Sequence, residues 1–394
     1  MKIAFIGQKG IPIISGGVER RVEELSTRMT ALGHEVFVYV RNDYASQKPS
    51  RYKGVNLIYI PAIPTKNLGA ISHTFFAIMH ALVQNYDVIH FQAPGPSSLC
   101  WIIKILKPRT ALIATFNSRD SQHQKWSFLA KHYLLLGEWV MIKIPDKTIA
   151  VSNILQKYIK EKFGVEAEVI RNGSSVSKTT NINLIEKWNL KKNRYFLSVS
   201  RLIRHKGIHL LIEAFKQAQK DGRISLDFKL VIVGEGAFTD DYVEELKMMA
   251  DQDENIVFTG NQVGENLAAL FQCAFSFVQP SLAEGLSNAL LESMGYGLCP
   301  IISDIEENVS PVGENGIVFE KQNLEDLKNK LIFAFEHKEL VQKLGDSART
   351  HVEKKYSWEK NAEKTLALYR KVLNKKRTSG FLEKTFKNSI NFNL

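Results

Sequence analysis

Short apolar runs alternate with longer amphipathic segments in the first 172 residues of the chain. The amphipathic segments include residues 18–32 and 122–142, and both have the spacing of helices. Near-continuous apolar runs separated by helices are typical of parallel strands that are covered on both faces. We therefore predict a doubly wound α/β sheet here. The predicted strands are KIAFIG, EVFVYV, VNLIYI, DVIHF, TALIATF and KTIAVS.

The same rhythm starts again after a polar stretch at residues 172–193. A chain of 394 residues fits two domains comfortably. We predict a first Rossmann-like domain at 1–177 and a second at 190–355. Two such sheets in tandem leave a cleft, and ligands of these sheets bind at the carboxyl ends of the strands. The second set of strands is YFLSVS, FKLVIVG, NIVFTG, AFSFVQP and CPIIS, and the closing helical patterns are 323–336, 338–352 and 357–373.

Charge is divided unevenly along the chain, whose formal net charge is +11. Residues 1–177 hold 22 Lys and Arg against 12 Asp and Glu, whereas residues 178–350 carry an excess of acids. This asymmetry indicates that the first half faces a polyanion, such as an anionic membrane or a lipid phosphate. Nucleic acid is not expected as a partner, because no recognition motif accompanies the charge. The basic residues 374–394 are predicted to form a solvated tail.

Neither a membrane span nor a secretion signal is predicted. The apolar runs are shorter than the ~20 residues that a spanning helix needs, and the start MKIAFIGQKG breaks off without a cleavage site. We expect a cytoplasmic protein, and the charge allows it to work at the inner face of the plasma membrane. Cys100, Cys273 and Cys299 lie in apolar segments, which favours reduced core thiols over disulfides or a metal site.

The loop that follows the strand YFLSVS carries two cations. Arg201 and Lys206 lie between this strand and a helix that is predicted to start near Gly207. A phosphate group binds readily where fixed cations meet a helix N-terminus. The loop is therefore a candidate diphosphate site.

The stretch PSLAEGLSNALLESMGYG, residues 280–297, carries two glutamates eight residues apart. Glu284 precedes the predicted helix, Gly285 permits a turn, and Glu292 lies among leucines, where an unpaired carboxylate is costly. Sugar hydroxyls could satisfy both acids, but Glu284 could instead cap the helix and Glu292 could pair with a neighbour. The free amides expected at the start of the helix are those of Leu286, Ser287 and Asn288.

These two stretches carry a family resemblance. SRLIRHKG and PSLAEGLSNALLESMGYG resemble the Arg-x4-Lys and Glu-x7-Glu signature of the family 4 retaining glycosyltransferases, which have the GT-B fold of two Rossmann-like domains. GGVER at 16–20 resembles the glycine pair after that family's first strand, and the resemblance continues to about residue 372. The segment KWSFLAKHYLLLGEWV also resembles a bacterial polysaccharide subgroup that includes rhamnosyltransferases.

The resemblance implies a role for each matching residue. Arg201 and Lys206 would hold the diphosphate of a nucleotide sugar, Glu284 would contact the transferred sugar, and Glu292 would bind the ribose. Fixed cations and amides stabilise the charge that develops on a leaving diphosphate, so no metal or other cofactor is expected. The first domain, with the last helix crossing back onto it, would bind a lipid-linked saccharide acceptor. Further donor contacts are implied for Gly16, Gly17, Val263, Gly285, Leu286, Ser287 and Asn288.

The chain departs from the family after the strand TALIATF. Asn117 stands where the family usually has a histidine that contacts the donor sugar. An amide can hydrogen-bond to that sugar but cannot titrate near neutral pH. His123 lies six residues further on and is not assigned a role. Asn117 thus leaves open a non-catalytic subunit that only binds a sugar nucleotide, and the shared fold leaves open a nucleotide-sugar epimerase.

Two further segments have competing interpretations. DQDE at 251–254 contains the Asp-x-Asp of metal-dependent transferases, but its position between a helix and a strand argues against a metal site. Residues 97–109 form an apolar pattern with Trp101, Lys104 and Lys107. Such a helix either packs against the sheet or lies on a membrane interface.

Overall fold

The computed structural model divides into two compact α/β units. The first unit contains residues 1–13, 18–171 and 359–394, and the second contains 14–17 and 172–358. The boundary thus falls at residue 172, a few residues before the predicted end of the first domain at 177. The residues that the structure describes are 1–63, 65, 68–119, 128–237, 239–251, 253–391, so that His123 and the start of the predicted helix 122–142 lie outside them.

The first unit is built on an eight-stranded sheet with the order β3-β4-β2-β1-β5-β6-β7-β8. Every pairing is parallel except the short hairpin of β3 and β4. The strands are β1 (Lys2–Ile6), β2 (Glu35–Arg41), β3 (Arg51–Tyr52), β4 (Val55–Ile60), β5 (Val88–Gln92), β6 (Ala111–Phe116), β7 (Lys147–Ala150) and β8 (Glu168–Val169). The helices are α1 (Gly17–Ala31), α2 (Gly69–Leu82), α3 (Pro94–Ser97), α4 (Trp101–Leu106), α5 (Phe128–Lys143) and α6 (Asn153–Phe163).

The second unit has a six-stranded parallel sheet with the order β11-β10-β9-β12-β13-β14. Numbered within the unit, this order is 3-2-1-4-5-6, the arrangement of dinucleotide-binding folds. Its strands are β9 (Tyr195–Val199), β10 (Lys229–Val233), β11 (Ile256–Gly260), β12 (Ser276–Gln279), β13 (Pro300–Ser303) and β14 (Ile317–Phe319). Its helices are α7 (Ile208–Lys220), α8 (Asp240–Ala250), α9 (Gly264–Cys273), α10 (Asn288–Gly295), α11 (Glu306–Val312), α12 (Leu324–Glu336) and α13 (Lys338–Lys355).

Aromatic side chains fill the core on one face of the second sheet. Phe196 of β9 meets Phe228 with a ring separation of 4.9 Å, and Phe215 of α7 approaches Phe196 edge-on. These three rings are almost completely buried. Burial of such large apolar groups is the main favourable term in folding, which explains why the near-continuous apolar strands of the sequence become central strands.

The last helix, α14 (Trp358–Asn391), belongs to the first unit from Glu359 onward. The hydroxyl of its Tyr369 lies 2.6 Å from Nδ1 of His90 in β5, and Nζ of Lys376 donates to the carbonyl oxygen of Pro108 at 2.8 Å. The helix continues beyond its predicted end at 373, so residues 374–391 of the predicted tail are helical. Lysine, arginine and leucine favour helices, and one Gly costs only about 1 kcal/mol.

The segment 97–109 does not form the single helix that its pattern predicts. Helix α3 ends at Ser97, and α4 covers only Trp101–Leu106 before Pro108 interrupts the chain. Of the α4 side chains only Ile103 is fully buried, and Trp101 is 45% exposed. Among the helices of the described residues, none combines the length and apolar character that crossing a bilayer requires.

The three cysteines are free and buried in the structure. Burial raises the pKa of Cys100 and of Cys299 to about 12. These thiols therefore stay protonated at neutral pH and act as small apolar core residues, as the sequence predicts.

Candidate functional site

The candidate site lies where the strand order of the second sheet reverses. Strands β9 and β12 are hydrogen-bonded neighbours, but the chain leaves them toward opposite sides of the sheet order. In open α/β sheets ligands bind beyond the carboxyl ends of the strands at this switch point. The two loops that leave these ends are 200–207 and 280–287, the same two that the sequence singles out.

Glycine brings these loops into contact. Gly207 has a φ of +70°, and a Cβ atom there would lie 2.1 Å from the carbonyl oxygen of Pro280. The backbone N–H of Leu282 donates to the carbonyl oxygen of His205 at 2.7 Å. Any larger residue at 207 would therefore force the loops apart, because a carbon atom cannot approach an oxygen this closely.

Lys206 and Glu284 form an ion pair across the two loops. Nζ of Lys206 lies 2.5 Å from Oε1 of Glu284, and their side chains are 13% and 8% exposed. The hydroxyl of Ser281 donates to the same carboxylate oxygen at 2.7 Å. Glu284 does not cap the following helix, because that cap is Ser287. The pair holds one cation and one acceptor side by side at the switch point.

Arg201 differs from the other basic residues of its loop. Arg204 pairs with Glu245, and Lys206 pairs with Glu284. The exposed Arg201 guanidinium forms no ion pair with another residue of the described chain. An exposed cation without an internal counter-ion is suited to bind an anionic ligand.

His209 of α7 is not part of this set of cations. Its Nδ1 atom lies 2.8 Å from the Tyr242 hydroxyl. Burial and the nearby charge of Arg204 lower the pKa of His209, so this imidazole is neutral at pH 7.

Helix α10 begins at the same edge of the sheet with a side-chain cap. Oγ of Ser287 accepts from the backbone N–H of Leu290 at 3.2 Å. The Leu286 carbonyl accepts from Nδ2 of the buried Asn172 at 3.2 Å, and the buried Gly285 lies at a bend just before it. The start of this eight-residue helix is thus fixed from both sides.

A buried hydrogen-bond network that the sequence analysis missed supports this helix start. Ser287 donates through Oγ to Gln279 at 2.7 Å, and Gln279 donates to Asn308 at 2.6 Å. Asn308 donates to Oγ of Ser303 at 3.0 Å, and Ser303 donates to the carbonyl oxygen of Ser281 at 2.5 Å. The network joins β12, β13 and α11 to both ends of the loop that carries Glu284. Polar residues at strand ends are its only signal in the sequence.

Glu292 lies in the middle of α10 and is 7% exposed. It lies about one turn after the helix start at Asn288, with Leu291 and Ser293 buried beside it. The structure therefore sets both glutamates of the motif near one strand end, Glu284 in the loop and Glu292 on the helix.

The predicted glycine pair reaches the same unit. Residues 14–17 group with the second unit, and the Gly17 carbonyl accepts from Nδ2 of Asn288 at 3.0 Å. Gly16 has a φ of +104°, which only glycine adopts freely. Val263, 41% exposed, precedes α9 and lies three residues after the end of β11, the edge strand of the second sheet.

Asn117 lies in the first unit, just after β6. Its Nδ2 donates to the carbonyl oxygen of Thr115 at 3.2 Å and to Oε1 of Gln92 at 3.4 Å. Gln92 ends the neighbouring strand β5 and is fully buried. The amide of Asn117 is therefore held by uncharged partners at the carboxyl edge of the first sheet.

The Asp-x-Asp sequence has a structural role in a turn. Asp251 ends α8 in the left-handed conformation, and Oδ1 of Asp253 accepts from the backbone N–H of Asn255 at 2.9 Å. Within the described ranges, no three His, Cys, Asp or Glu side chains gather as a metal site would require.

Two family profiles match the chain and divide it as the structure does. The profile described as Glycosyltransferase Family 4 matches residues 15–178, and the one described as Glycosyl transferases group 1 matches residues 181–351. The chain belongs to this glycosyltransferase family. The second profile contains the whole set of switch-point residues, from Arg201 to Glu292.

Curated relatives agree with this family. The chain is 26% identical over 327 residues to an alpha-monoglucosyldiacylglycerol synthase of Streptococcus pneumoniae, covering 77% of this chain and 71% of the relative. It is 22% identical over 398 residues to O-antigen chain mannosyltransferase C of Escherichia coli, covering 95% of this chain and all of the relative.

Solved structures share the fold along almost the whole chain. Sucrose-phosphate synthase from Thermosynechococcus elongatus has a TM-score of 0.78 at 20% identity, covering 95% of this chain and 99% of that one. Anabaena Alr3699/HepE in complex with UDP and glucose also has a TM-score of 0.78, at 18% identity, covering 94% and 100%. These similarities confirm the predicted GT-B fold class.

Proposed function

We propose that this chain is a retaining, metal-independent glycosyltransferase that moves a sugar from a nucleotide diphosphate sugar to a hydroxyl group of a lipid-linked surface-polysaccharide acceptor. The second unit binds the donor, and the first unit binds the acceptor. The enzyme works at the inner face of the plasma membrane and uses no cofactor.

The observation that carries this proposal is the arrangement at the switch point of the second sheet. Arg201 and Lys206 leave β9, and Glu284 with the start of α10 leaves the adjacent β12. Two cations and free helix amides fit a diphosphate, and Glu284 is an acceptor for sugar hydroxyls. Anabaena HepE, which shares the fold, was solved with UDP and glucose.

The remaining donor contacts are those that the family resemblance implies. Glu292 on α10 binds the ribose hydroxyls, and Val263 beyond the end of β11 borders the base. Backbone groups of Gly285, Leu286, Ser287 and Asn288, with Gly16 and Gly17, contact phosphate and sugar, and Asn117 contacts the transferred sugar.

The chemical step needs stabilisation of charge more than it needs acid–base groups. Breaking the anomeric C–O bond places negative charge on the leaving diphosphate, where Arg201 and Lys206 lower the barrier. The acceptor oxygen attacks the anomeric carbon from the face that the diphosphate leaves, and a diphosphate oxygen takes its proton. This route retains the anomeric configuration and needs neither a nucleophilic side chain nor a metal ion.

Two observations support a lipid-linked acceptor: the names of two relatives and the charge of the first unit. One relative is named a synthase of a glucosylated diacylglycerol, and another is named an O-antigen chain mannosyltransferase. The basic balance of residues 1–177 suits an acceptor that carries lipid phosphate.

A donor screen with the full chain tests the proposal. Thermal unfolding and sugar release are measured with UDP, GDP, ADP and dTDP sugars in the presence of EDTA. Stabilisation by one nucleotide and slow hydrolysis of its sugar are expected. Failure of all four to bind would refute the donor site.

One observation favours a second candidate, a non-catalytic subunit that binds a sugar nucleotide. Asn117, held by Thr115 and Gln92, replaces a histidine that the family usually has. If the chain is such a subunit, it should bind one nucleotide sugar as tightly as the proposed enzyme would, but the sugar should be neither released nor transferred.

A further inference from the structure

Exposed large apolar side chains are concentrated on three helices of the first unit. Half of those that the described chain exposes lie between residues 75 and 139, on α2, α4 and α5 or directly after α2. Single exposed apolar residues are ordinary, whereas a contiguous set marks an interaction surface. The set consists of Phe75, Phe76, Met79, Val83, Trp101, Ile105, Leu106, Phe128, Leu135, Leu136 and Trp139, which we call the apolar face.

The spacing shows one exposed stripe on each helix. On α5 the exposed positions are 128, 132, 135, 136, 139 and 143, which follow the helical period. On α2 they are 75, 76 and 79, followed by 83 directly after the helix, while Ala77, Ile78 and Ala81 face the core. Each helix therefore has a buried apolar side and a second, exposed apolar side.

The three helices are joined by packing through α3. Helix α2 packs against both α3 and α4, and α3 packs closely against α5. The hydroxyl of Tyr133 on α5 donates to the carbonyl oxygen of Gly95 in α3 at 3.3 Å. Trp101 and Trp139 belong to the apolar face, and tryptophan favours a membrane interface because its ring is apolar while its N–H remains polar.

The charged residues that α2, α4 and α5 expose are basic, whereas the neighbouring Asp146 is largely buried and pairs with Lys104 and Lys376. Helices α2 and α4 contain no acid, and the one acid of α5, Glu138, is fully buried and bonded to the Tyr158 hydroxyl. Arg109 and Lys143 are exposed close to the ends of α4 and α5. An apolar stripe rimmed by cations without exposed carboxylates matches the surface of an anionic bilayer.

The last helix extends the basic rim. Lys376 of α14 anchors the helix there: it donates to the carbonyl oxygens of Pro108 and Thr110, directly after α4, and pairs with Asp146 at 2.8 Å. Its neighbours Lys375 and Arg377 are exposed at the same place. The basic continuation of α14 therefore starts at the edge of the apolar face.

We propose that α2, α4 and α5 together dock the first unit on an anionic lipid bilayer, with the apolar face entering the interface and α14 contacting the headgroups. This surface deepens the proposed function and rests on it for its purpose, because a lipid-linked acceptor must be met at a bilayer. The docking surface is wider than the segment 97–109 that the sequence singles out.

Vesicle flotation with the full chain tests the surface. Vesicles of phosphatidylcholine alone are compared with vesicles that contain phosphatidylglycerol, at low salt. The test variant is Leu136→Ser/Trp139→Ser, and the matched control is Leu226→Ser/Met248→Ser, two exposed apolar residues of the second unit. The test variant should lose about tenfold or more of its partitioning into anionic vesicles, since two apolar groups leave the lipid. The control should match the wild type.

Several results would overturn the proposal. They are absence of wild-type flotation, an equal loss in the control variant, or flotation that salt removes but the serine substitutions leave unchanged. A wild-type dimer that Leu136→Ser/Trp139→Ser converts to a monomer would identify a second copy as the occupant. Nucleotide-sugar binding, measured in parallel, separates this result from the donor assignment. If the wild type binds the donor but does not float, only the docking surface is refuted. If it floats but does not bind the donor, only the proposed function is refuted.

Discussion

Substitution of Lys206 and substitution of its ion-pair partner Glu284 should change the affinity for a nucleotide diphosphate in opposite directions. In the structure Glu284 neutralises Lys206, and both side chains are largely buried. Lys206→Met should weaken binding of the nucleotide diphosphate, because one charge-assisted hydrogen bond is lost. Glu284→Gln should instead strengthen binding of the bare diphosphate, because the competing carboxylate charge is removed, while sugar transfer falls.

The magnitudes follow from the contacts. A hydrogen bond to a charged group contributes about 1.5–3 kcal/mol, so Lys206→Met should raise the Kd about 10–150-fold. The same change leaves Glu284 with the Ser281 hydroxyl as its hydrogen-bond donor and should cost about 3 kcal/mol of stability. For a unit of this size that cost lowers the Tm by about 6–12 °C. The double variant Lys206→Met/Glu284→Gln should recover most of this Tm loss.

Calorimetric titration with the nucleotide diphosphate and thermal unfolding measure both effects. Because a destabilised variant could bind weakly through partial unfolding, titration is performed well below its Tm. Equal effects of the two single substitutions on the Kd, or a double variant no more stable than Lys206→Met, would refute the reasoning.

Two other substitutions test the surroundings of the site, and a third tests a buried histidine of the first unit. Gly207→Ala places a Cβ 2.1 Å from a carbonyl oxygen and should abolish donor binding. The control Gly222→Ala has a similar φ of +69° but open space around it, so it should lower the stability by only about 1–2 kcal/mol. Calorimetric titration and the Tm distinguish the two variants. Ser287→Ala and Asn323→Ala each remove a helix cap and should each cost about 1 kcal/mol. Only Ser287→Ala should also weaken nucleotide binding, and an equal loss in both would remove the special role of that cap. Burial lowers the pKa of His73 to about 4 from its ordinary value of 6.5. Below pH 6.5 the unfolded chain therefore binds a proton that the folded chain does not, and the stability falls as the pH drops from 6.5 to 4. His73→Leu should reduce the stability difference between pH 7.5 and pH 5 by about 2 kcal/mol; an unchanged difference in denaturant unfolding would contradict this.

Much of the fold follows from local patterns in the sequence. Runs such as KIAFIG and FKLVIVG become central parallel strands because they can be buried on both faces. The short strands β3, β8 and β14 carry too few residues for a period, so tertiary pairing alone reveals them. The continuation of α14 to Asn391 also escapes a pattern analysis, because its polar residues favour a helix without marking a buried face.

The candidate site is likewise only partly predictable from the sequence. Arg201, Lys206 and Glu284 are recognisable because cations and acids after apolar strands stand out in the sequence. The network through Gln279 and Asn308 is not, because its members lie 29 residues apart and meet only when β12 and β13 pair. Within the predicted helix 97–109, only Ser97, the last residue of α3, and Trp101–Leu106 of α4 are helical. The exposed apolar face appears only once α2, α4 and α5 have formed and packed.

The most direct test of the central claim compares two arginines of one loop. Arg201 is exposed and forms no ion pair in the described part of the chain, whereas Arg204, three residues away, pairs with Glu245. Release or transfer of sugar from the selected nucleotide donor is measured for Arg201→Ala and Arg204→Ala with EDTA present. Arg201→Ala should lose about 100-fold or more in kcat/KM while Arg204→Ala stays near the wild type. Near-normal turnover by Arg201→Ala would contradict the assignment of the diphosphate site.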